Sequence, residues 1–300
     1  MSNVTKTGRI IKGIGGFYYV DCGDTIFECK ARGKFRKLGI KPVVGDWCEL
    51  QVVEGSIGYL VEILPRKNEL IRPAVCNLDT LVIVASEASP KTDLFLIDRV
   101  SAIAVHMGME VVLCINKCDL SSGNEMCSLY RSIGFSVFQV SGKTGIGIDA
   151  LRSHLTGKLS AFTGNSGVGK STIINALCPD LDLKTGDINE KIGRGRHTTR
   201  HSELFRLSEN TWIADTPGFS AFDTERMELI SPEDLKCCFP EFMQYAGDCA
   251  YLDCSHVRDK GCAVLAAVET GAIPVSRHES YVRLFENMKE LKPWERKETR

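Results

Sequence analysis

The octapeptide GNSGVGKS, Gly164 to Ser171, restricts the fold more than any other stretch of this chain. It follows the apolar run KLSAFT and opens TIINAL, so a glycine-rich turn joins a buried strand to a helix. That is the setting a phosphate-binding loop of an α/β sheet requires. Gly167 and Gly169 let backbone N–H groups turn inward onto phosphate oxygens, beside the positive end of the helix. Lys170 reaches the β- and γ-phosphates, and the Ser171 hydroxyl ligates Mg2+. Gly164, Asn165, Ser166, Val168 and Thr172 complete the candidate cradle.

Shorter motifs surround it. DTPG, Asp215 to Gly218, follows the strand-like TWIA; Asp215 would hold the ion through water, and the Gly218 N–H would meet the γ-phosphate. NKCD, Asn116 to Asp119, follows the strand VVLCI. The Asp119 carboxylate accepts two hydrogen bonds from guanine N1 and N2, which adenine does not offer, so an ATP-using kinase is disfavoured. Asn116 reads the N7/O6 edge and braces the loop, and the Lys117 stem packs over the ring. SGK, Ser141 to Lys143 with Gly142 between them, comes after the next strand, where a backbone N–H would approach the guanine carbonyl.

The order is the unusual part. Base motif and base loop precede the phosphate loop, whereas in ordinary small GTPases the phosphate loop comes first. All these motifs follow predicted strands, at the end where such sheets bind ligands. Sheet neighbours need not be chain neighbours, so a cyclic shift of the strands leaves the pocket intact.

The remaining sequence divides into blocks. Residues 1–67 alternate in short β-rich runs such as GRIIKGIGGFYYVDC and DWCELQVVE, as a small all-β barrel of the OB type does. Within them KARGKFRKLGIK brings together Lys30, Arg32, Lys34, Arg36, Lys37 and Lys41, read as a basic hairpin that is either simply solvated or tracks RNA phosphates. Phe17, Tyr18, Tyr19 and Phe35 either stack bases or fill the barrel core. Residues 68–222 alternate strand and helix, predicting a doubly wound α/β domain: DTLVIVAS and EVVLCINK are buried parallel strands, and TDLFLIDRVSAIAVHMG is a helix that Gly108 ends. Residues 223–300 are mainly helical and close with SRHESYVRLFENMKEL, an amphipathic helix for which Ser276 is a candidate cap.

The net charge of −1 supplies no global field, so any nucleic-acid surface is local. No signal-like leader is expected, nor an apolar run near the roughly 20 residues that span a bilayer. A cytoplasmic protein follows, in which 13 cysteines stay reduced. Most serve as small apolar residues. CAYLDCSHVRDKGC differs: Cys249, Cys254, His256 and Cys262 make a closed tetrahedral set for one structural Zn2+, while the adjacent Cys237 and Cys238 chelate one ion poorly.

With VVGDWC, NKCD, GNSGVGKST, GRGRHTTR, DTPGF and the terminal Cys/His cluster, the chain resembles the ribosome small-subunit-dependent GTPases (RsgA/YjeQ/YloQ type) over nearly its whole length. These are circularly permuted GTPases. The resemblance implies an OB barrel, a permuted GTPase domain and a zinc domain. It also implies GTP hydrolysis stimulated by the small (30S) subunit late in its maturation, rRNA contact, and a monomer with no membrane partner. In GRGRHTTR, Gly193 to Arg200, it implies Thr199 as the second Mg2+ ligand, with Thr198 the alternative, and His197 as the catalytic group. Phe219 stands where Ras-like enzymes place a water-orienting glutamine, so hydrolysis needs another group. An alternative function is a nucleotide-gated rRNA-binding scaffold with incidental turnover.

Overall fold

The structure, a computed structural model, describes residues 4–70, 74–179, 203–215 and 230–290, without the side chains of Arg36, Asp215 and Glu290. His197, Thr198, Thr199, Arg200, Gly218 and Phe219 lie outside the described residues. Among the described residues, no helix is long and apolar enough to cross a membrane.

The chain begins with β1 (Thr5–Ile14), β2 (Phe17–Asp21), β3 (Ile26–Ala31), the short helix α1 (Gly33–Lys37), β4 (Trp47–Glu54) and β5 (Ile57–Ile63). β6 (Glu69–Leu70) and β7 (Val75–Cys76) form a small ribbon. The α/β segment then runs β8 (Thr80–Ala85), α2 (Leu94–His106), β9 (Glu110–Ile115), α3 (Asn124–Ser132), β10 (Ser136–Gln139), α4 (Ile148–Leu155), β11 (Leu159–Thr163) and α5 (Lys170–Leu177). β12 (Glu203–Ser208) and β13 (Thr211–Asp215) follow, and the chain closes with α6 (Met243–Ala246), α7 (Ala263–Glu269) and α8 (Val275–Glu290). Two compact units result: residues 1–80, 155–162 and 187–219, and residues 81–154, 163–186 and 220–300.

In the first unit β1 to β5 pair in the order β1-β2-β3-β5-β4, and β4 returns to β1, closing a five-stranded barrel. Closure leaves no free sheet edge within it. Alternate side chains point inward, and Ile10, Val20, Phe27, Cys29, Cys48, Leu50 and Leu60 fill the interior. The basic segment is not a hairpin. It leaves β3 and turns into α1, because Phe35 inserts into the barrel core and draws a helical turn with it. Phe35 is therefore core rather than a stacking surface, whereas Phe17, Tyr18 and Tyr19 are half-buried on β2.

VVGDWC is tightly packed within this unit. Gly45 has φ 95°, and a Cβ there would sit 2.1 Å from the Cys76 carbonyl oxygen, so only glycine fits. The fully buried Asp46 accepts hydrogen bonds from Val43 N at 2.7 Å and from Arg66 Nε and Nη2 at 2.7 and 2.8 Å. The same unit holds β13, parallel to β11 and antiparallel to β12, and β12 meets β1 where Lys12 faces Glu203.

In the second unit β9 lies between β8 and β10, and β10 runs parallel to β9. The six residues of β8 are all buried, as an apolar run with no alternation predicts. Asp93 caps α2 by accepting from Phe95 N at 3.0 Å, and Gly108 ends it with φ 68°. α8 begins at Val275, one residue before the predicted cap. Ser276 lies inside the helix, because the Pro274 carbonyl already accepts the first helical N–H groups, from Arg277 and His278. Arg277 of α8 is fully buried between Asp98 of α2 and Glu241, 2.7 Å from each.

Candidate functional site

Each glycine of the phosphate loop is there for a reason visible in the backbone. Gly164, Gly167 and Gly169 have φ of 144°, 77° and 94°, in the region that side chains avoid. A Cβ on Gly164 would lie 2.2 Å from the Val84 carbonyl oxygen, and one on Gly169 2.2 Å from Asn116 Nδ2. Val168, between them, is fully buried and anchors the turn. Lys170 and Ser171 begin α5, so the loop's N–H groups and the helix's positive end face the same region. Lys170 Nζ donates to the carbonyls of Gly164 and Asn165, the latter at 2.8 Å, and burial pushes its pKa down from the ordinary lysine value. A half-buried ammonium beside inward-turned backbone N–H groups has the chemistry to take a phosphate.

The residues expected to read the base converge on this loop. Asn116 is buried at the end of β9; its Nδ2 donates to Val168 O at 2.8 Å, and its Oδ1 accepts from Gly142 N at 3.1 Å. One side chain thus joins NKCD, the phosphate loop and SGK. These two bonds are the loop brace read for Asn116 in the sequence. Gly142 sits tightly, since a Cβ would lie 3.0 Å from Ile173 N and that backbone would have to shift by a few tenths of an ångström. Ser141 is buried, and its Oγ accepts from Thr144 N at 3.2 Å, which shapes the SGK turn and leaves Lys143 exposed. Lys117 has φ 64°, and its Nζ donates to Ser89 O at 2.6 Å; Asp119 is exposed beyond it. The backbone of Asp215 ends β13.

Sequence reading missed the loop between β8 and α2. Ser89 receives Lys117, and Pro90 Cγ lies 3.4 Å from where a Gly167 Cβ would be. SEASPKTD reads only as a polar turn; its value comes from a neighbour far away in the chain.

Farther along, Cys249, Cys254, His256 and Cys262 bring one ligand atom each within 4.8 Å of one another. Cys249 Sγ is 3.9 Å from Cys262 Sγ, and His256 Nδ1 is 3.6 and 3.4 Å from those two sulfurs. A tetrahedral zinc with ordinary bond lengths sets sulfur pairs about 3.8 Å apart and sulfur–nitrogen pairs about 3.5 Å apart. The cluster fits such an ion. His256 holds φ 59°, a strained backbone for a non-glycine residue, and its buried Nε2 has no hydrogen-bond partner among the described residues. Cys262 caps α7, and burial, which raises the Cys249 thiol pKa, is outweighed by hydrogen bonds from the N–H groups of Ala263 and Val264 and from Cys254 and Cys262, which lower it. Cys237 is exposed and the buried Cys238 faces Asp234 O at 3.6 Å; neither joins the cluster.

Comparison with known proteins gives the same picture. The family model described as RsgA GTPase matches residues 63–225, and that described as RsgA N-terminal domain matches residues 7–60. The small ribosomal subunit biogenesis GTPase RsgA of Caldanaerobacter subterraneus subsp. tengcongensis is 44% identical over 286 residues, covering 94% of this chain and 96% of its own. The protein of the same name from Agathobacter rectalis is 44% identical over 299 residues, covering 94% and 98%. The crystal structure of YjeQ from Thermotoga maritima superposes with a TM-score of 0.83 at 32% identity, covering 96% of this chain and 100% of that one. YloQ, described as a circularly permuted GTPase, superposes with a TM-score of 0.82 at 34% identity, covering 97% of each. On these matches, and on a phosphate loop and base-reading motif tied together in permuted order, the chain belongs to the RsgA GTPase family.

Proposed function

We propose that this GTPase acts in late maturation of the small (30S) ribosomal subunit, binding rRNA and hydrolysing GTP to GDP and phosphate with stimulation by the subunit. The observation that carries the reading is Asn116, whose side chain bonds both Val168 and Gly142 and so makes one site of motifs that the chain order separates. The relatives' printed names supply the ribosomal context. A monomer in the cytoplasm is part of the same proposal.

Guanine would be read by Asp119 with Asn116, Lys117 and the turn of Ser141, Gly142 and Lys143. The phosphates would lie on residues 164–172, where Lys170 gives up its carbonyl contacts for β- and γ-phosphate oxygens that develop charge as the bond breaks. Asp215 and Gly218 would complete the γ-phosphate end. Ser171 and Thr199 would hold Mg2+, which would neutralise phosphate charge. His197 would orient the attacking water, a task Phe219 cannot perform. The domains proposed are 1–67, an RNA-binding OB barrel; 68–222, the permuted GTPase; and 223–300, stapled by one structural Zn2+ on Cys249, Cys254, His256 and Cys262. Four protein ligands would leave such an ion no open position, so its contribution would be structural.

GTP turnover measured alone and with purified mature and immature small subunits tests the proposal. Stimulation supports it; a rate indifferent to both subunits leaves the nucleotide-gated scaffold as the surviving reading.

A further inference from the structure

We infer that Glu87 and Gln139 are positioning residues for guanine recognition: together they clamp the segment that carries Asp119, although neither belongs to a nucleotide motif. The inference rests on the proposed guanine site.

Asp119 is exposed, and its selectivity depends on a carboxylate held still enough to take two hydrogen bonds at once. Its backbone is secured on the N-terminal side, where Cys118 N donates to Val140 O at 3.1 Å. On the other side the chain turns over Lys117, whose carbonyl accepts from Leu120 N and Ser121 N at 2.9 and 3.1 Å, and then enters α3. This helix start is poorly secured by its own sequence. Its cap is Gly123, with φ 66° and no side chain to accept from the first N–H groups.

Two side chains from elsewhere supply what the cap lacks. Glu87, in the loop after β8, accepts from Met126 N with Oε1 at 2.9 Å. Met126 is the third residue of α3, whose N–H an ordinary capping side chain would serve, and a carboxylate there also faces the positive end of the helix. Gln139, the last residue of β10, donates from Nε2 to Ser122 O and to Asn124 Oδ1, the latter at 2.9 Å. The connection from Asp119 to α3 is therefore gripped from β8 and from β10. The loop that holds Glu87 also receives Lys117 at Ser89 O and lies against Gly167. It fixes the base motif relative to the phosphate loop.

The test compares GDP and IDP, because inosine lacks the 2-amino group and can offer Asp119 only one of its two bonds. Loosening Asp119 should therefore weaken GDP more than IDP. Glu87→Ala is expected to weaken GDP binding about tenfold and to shrink the GDP-over-IDP preference about threefold or more. Glu87→Gln keeps the Oε1 acceptor and should restore both values. Gln139→Ala, acting from the other side, should shift the ratio in the same direction, and it carries the test if Glu87→Ala does not fold. A parent chain that fails to prefer GDP over ADP overturns the guanine site and the clamp together. A parent that prefers GDP, with variants whose GDP/IDP ratio is unchanged, overturns the clamp alone, as does an equal loss for both nucleotides.

Discussion

Replacing Arg277 by methionine tests how the C-terminal helix is held to the GTPase core. Its guanidinium is fully buried, with Nε donating to Glu241 Oε1 and Nη1 to Asp98 Oδ1, each at 2.7 Å, and a Phe239 ring 4.4 Å away. Tyr130 of α3 also donates to Asp98 Oδ1 at 2.7 Å, so the network runs from α3 through α2 to α8. Burial alone would lower the Arg277 pKa, but the two carboxylates hold it above the ordinary arginine value. Methionine fills much of the volume and leaves Asp98 and Glu241 buried without their cation. Removing one member of a buried pair costs about 3–5 kcal/mol. For a unit of this size each kcal/mol moves the melting temperature by about 2–4 °C, so a drop of roughly 6–20 °C is expected. Thermal unfolding followed by circular dichroism reads the total, and hydrogen exchange in α8 and α2 locates it. Adding Asp98→Asn and Glu241→Gln to the methionine variant removes the stranded charges and should recover part of the loss. A single variant unfolding within about 1 kcal/mol of the parent would refute the reasoning, since it would mean that desolvation cancels the attraction.

Asn116→Ala removes the side chain shared by Val168 and Gly142, leaving both backbone groups without that bond. Equilibrium titration should find GDP binding weakened by about 1–3 kcal/mol, roughly fivefold to 150-fold. Burial lowers the Lys170 pKa below the ordinary 10.5, and only the protonated form attracts phosphate. The nucleotide affinity of the protein should therefore fall as pH rises through that lowered value, and calorimetry in buffers of different ionisation enthalpy should show proton uptake on binding in that window. One equivalent of zinc should bind per chain. Its removal by a chelator, or Cys262→Ser, should loosen residues 249–262, seen as lost amide protection there, while β8 and β9 remain protected.

Short-range features were legible in the sequence because their causes are local. Gly164, Gly167 and Gly169 declare a left-handed turn before a helix, the unbroken apolar run of β8 declares a strand buried on both faces, and the spacing of Cys249, Cys254, His256 and Cys262 declares a cluster that could hold a metal ion. The permuted motif order is likewise written in the chain, and with it the family. Where a side chain's meaning depends on what lies across the fold, local pattern misled or was mute. The basic run from Lys30 to Lys41 reads as a hairpin, but Phe35 takes a place in the barrel core, and Ser276 reads as a cap, but Pro274 takes that place. Arg277 carries no sign in its helix that it will be buried, because its two carboxylates lie 179 and 36 residues away. Asn116 and Val168 are 52 residues apart, and Glu87 and Met126 39. Sequence determined which groups could bind guanine, phosphate and metal; tertiary structure decided which of them touch, because hydrogen bonds and burial depend on distance in space, to which distance along the chain is blind.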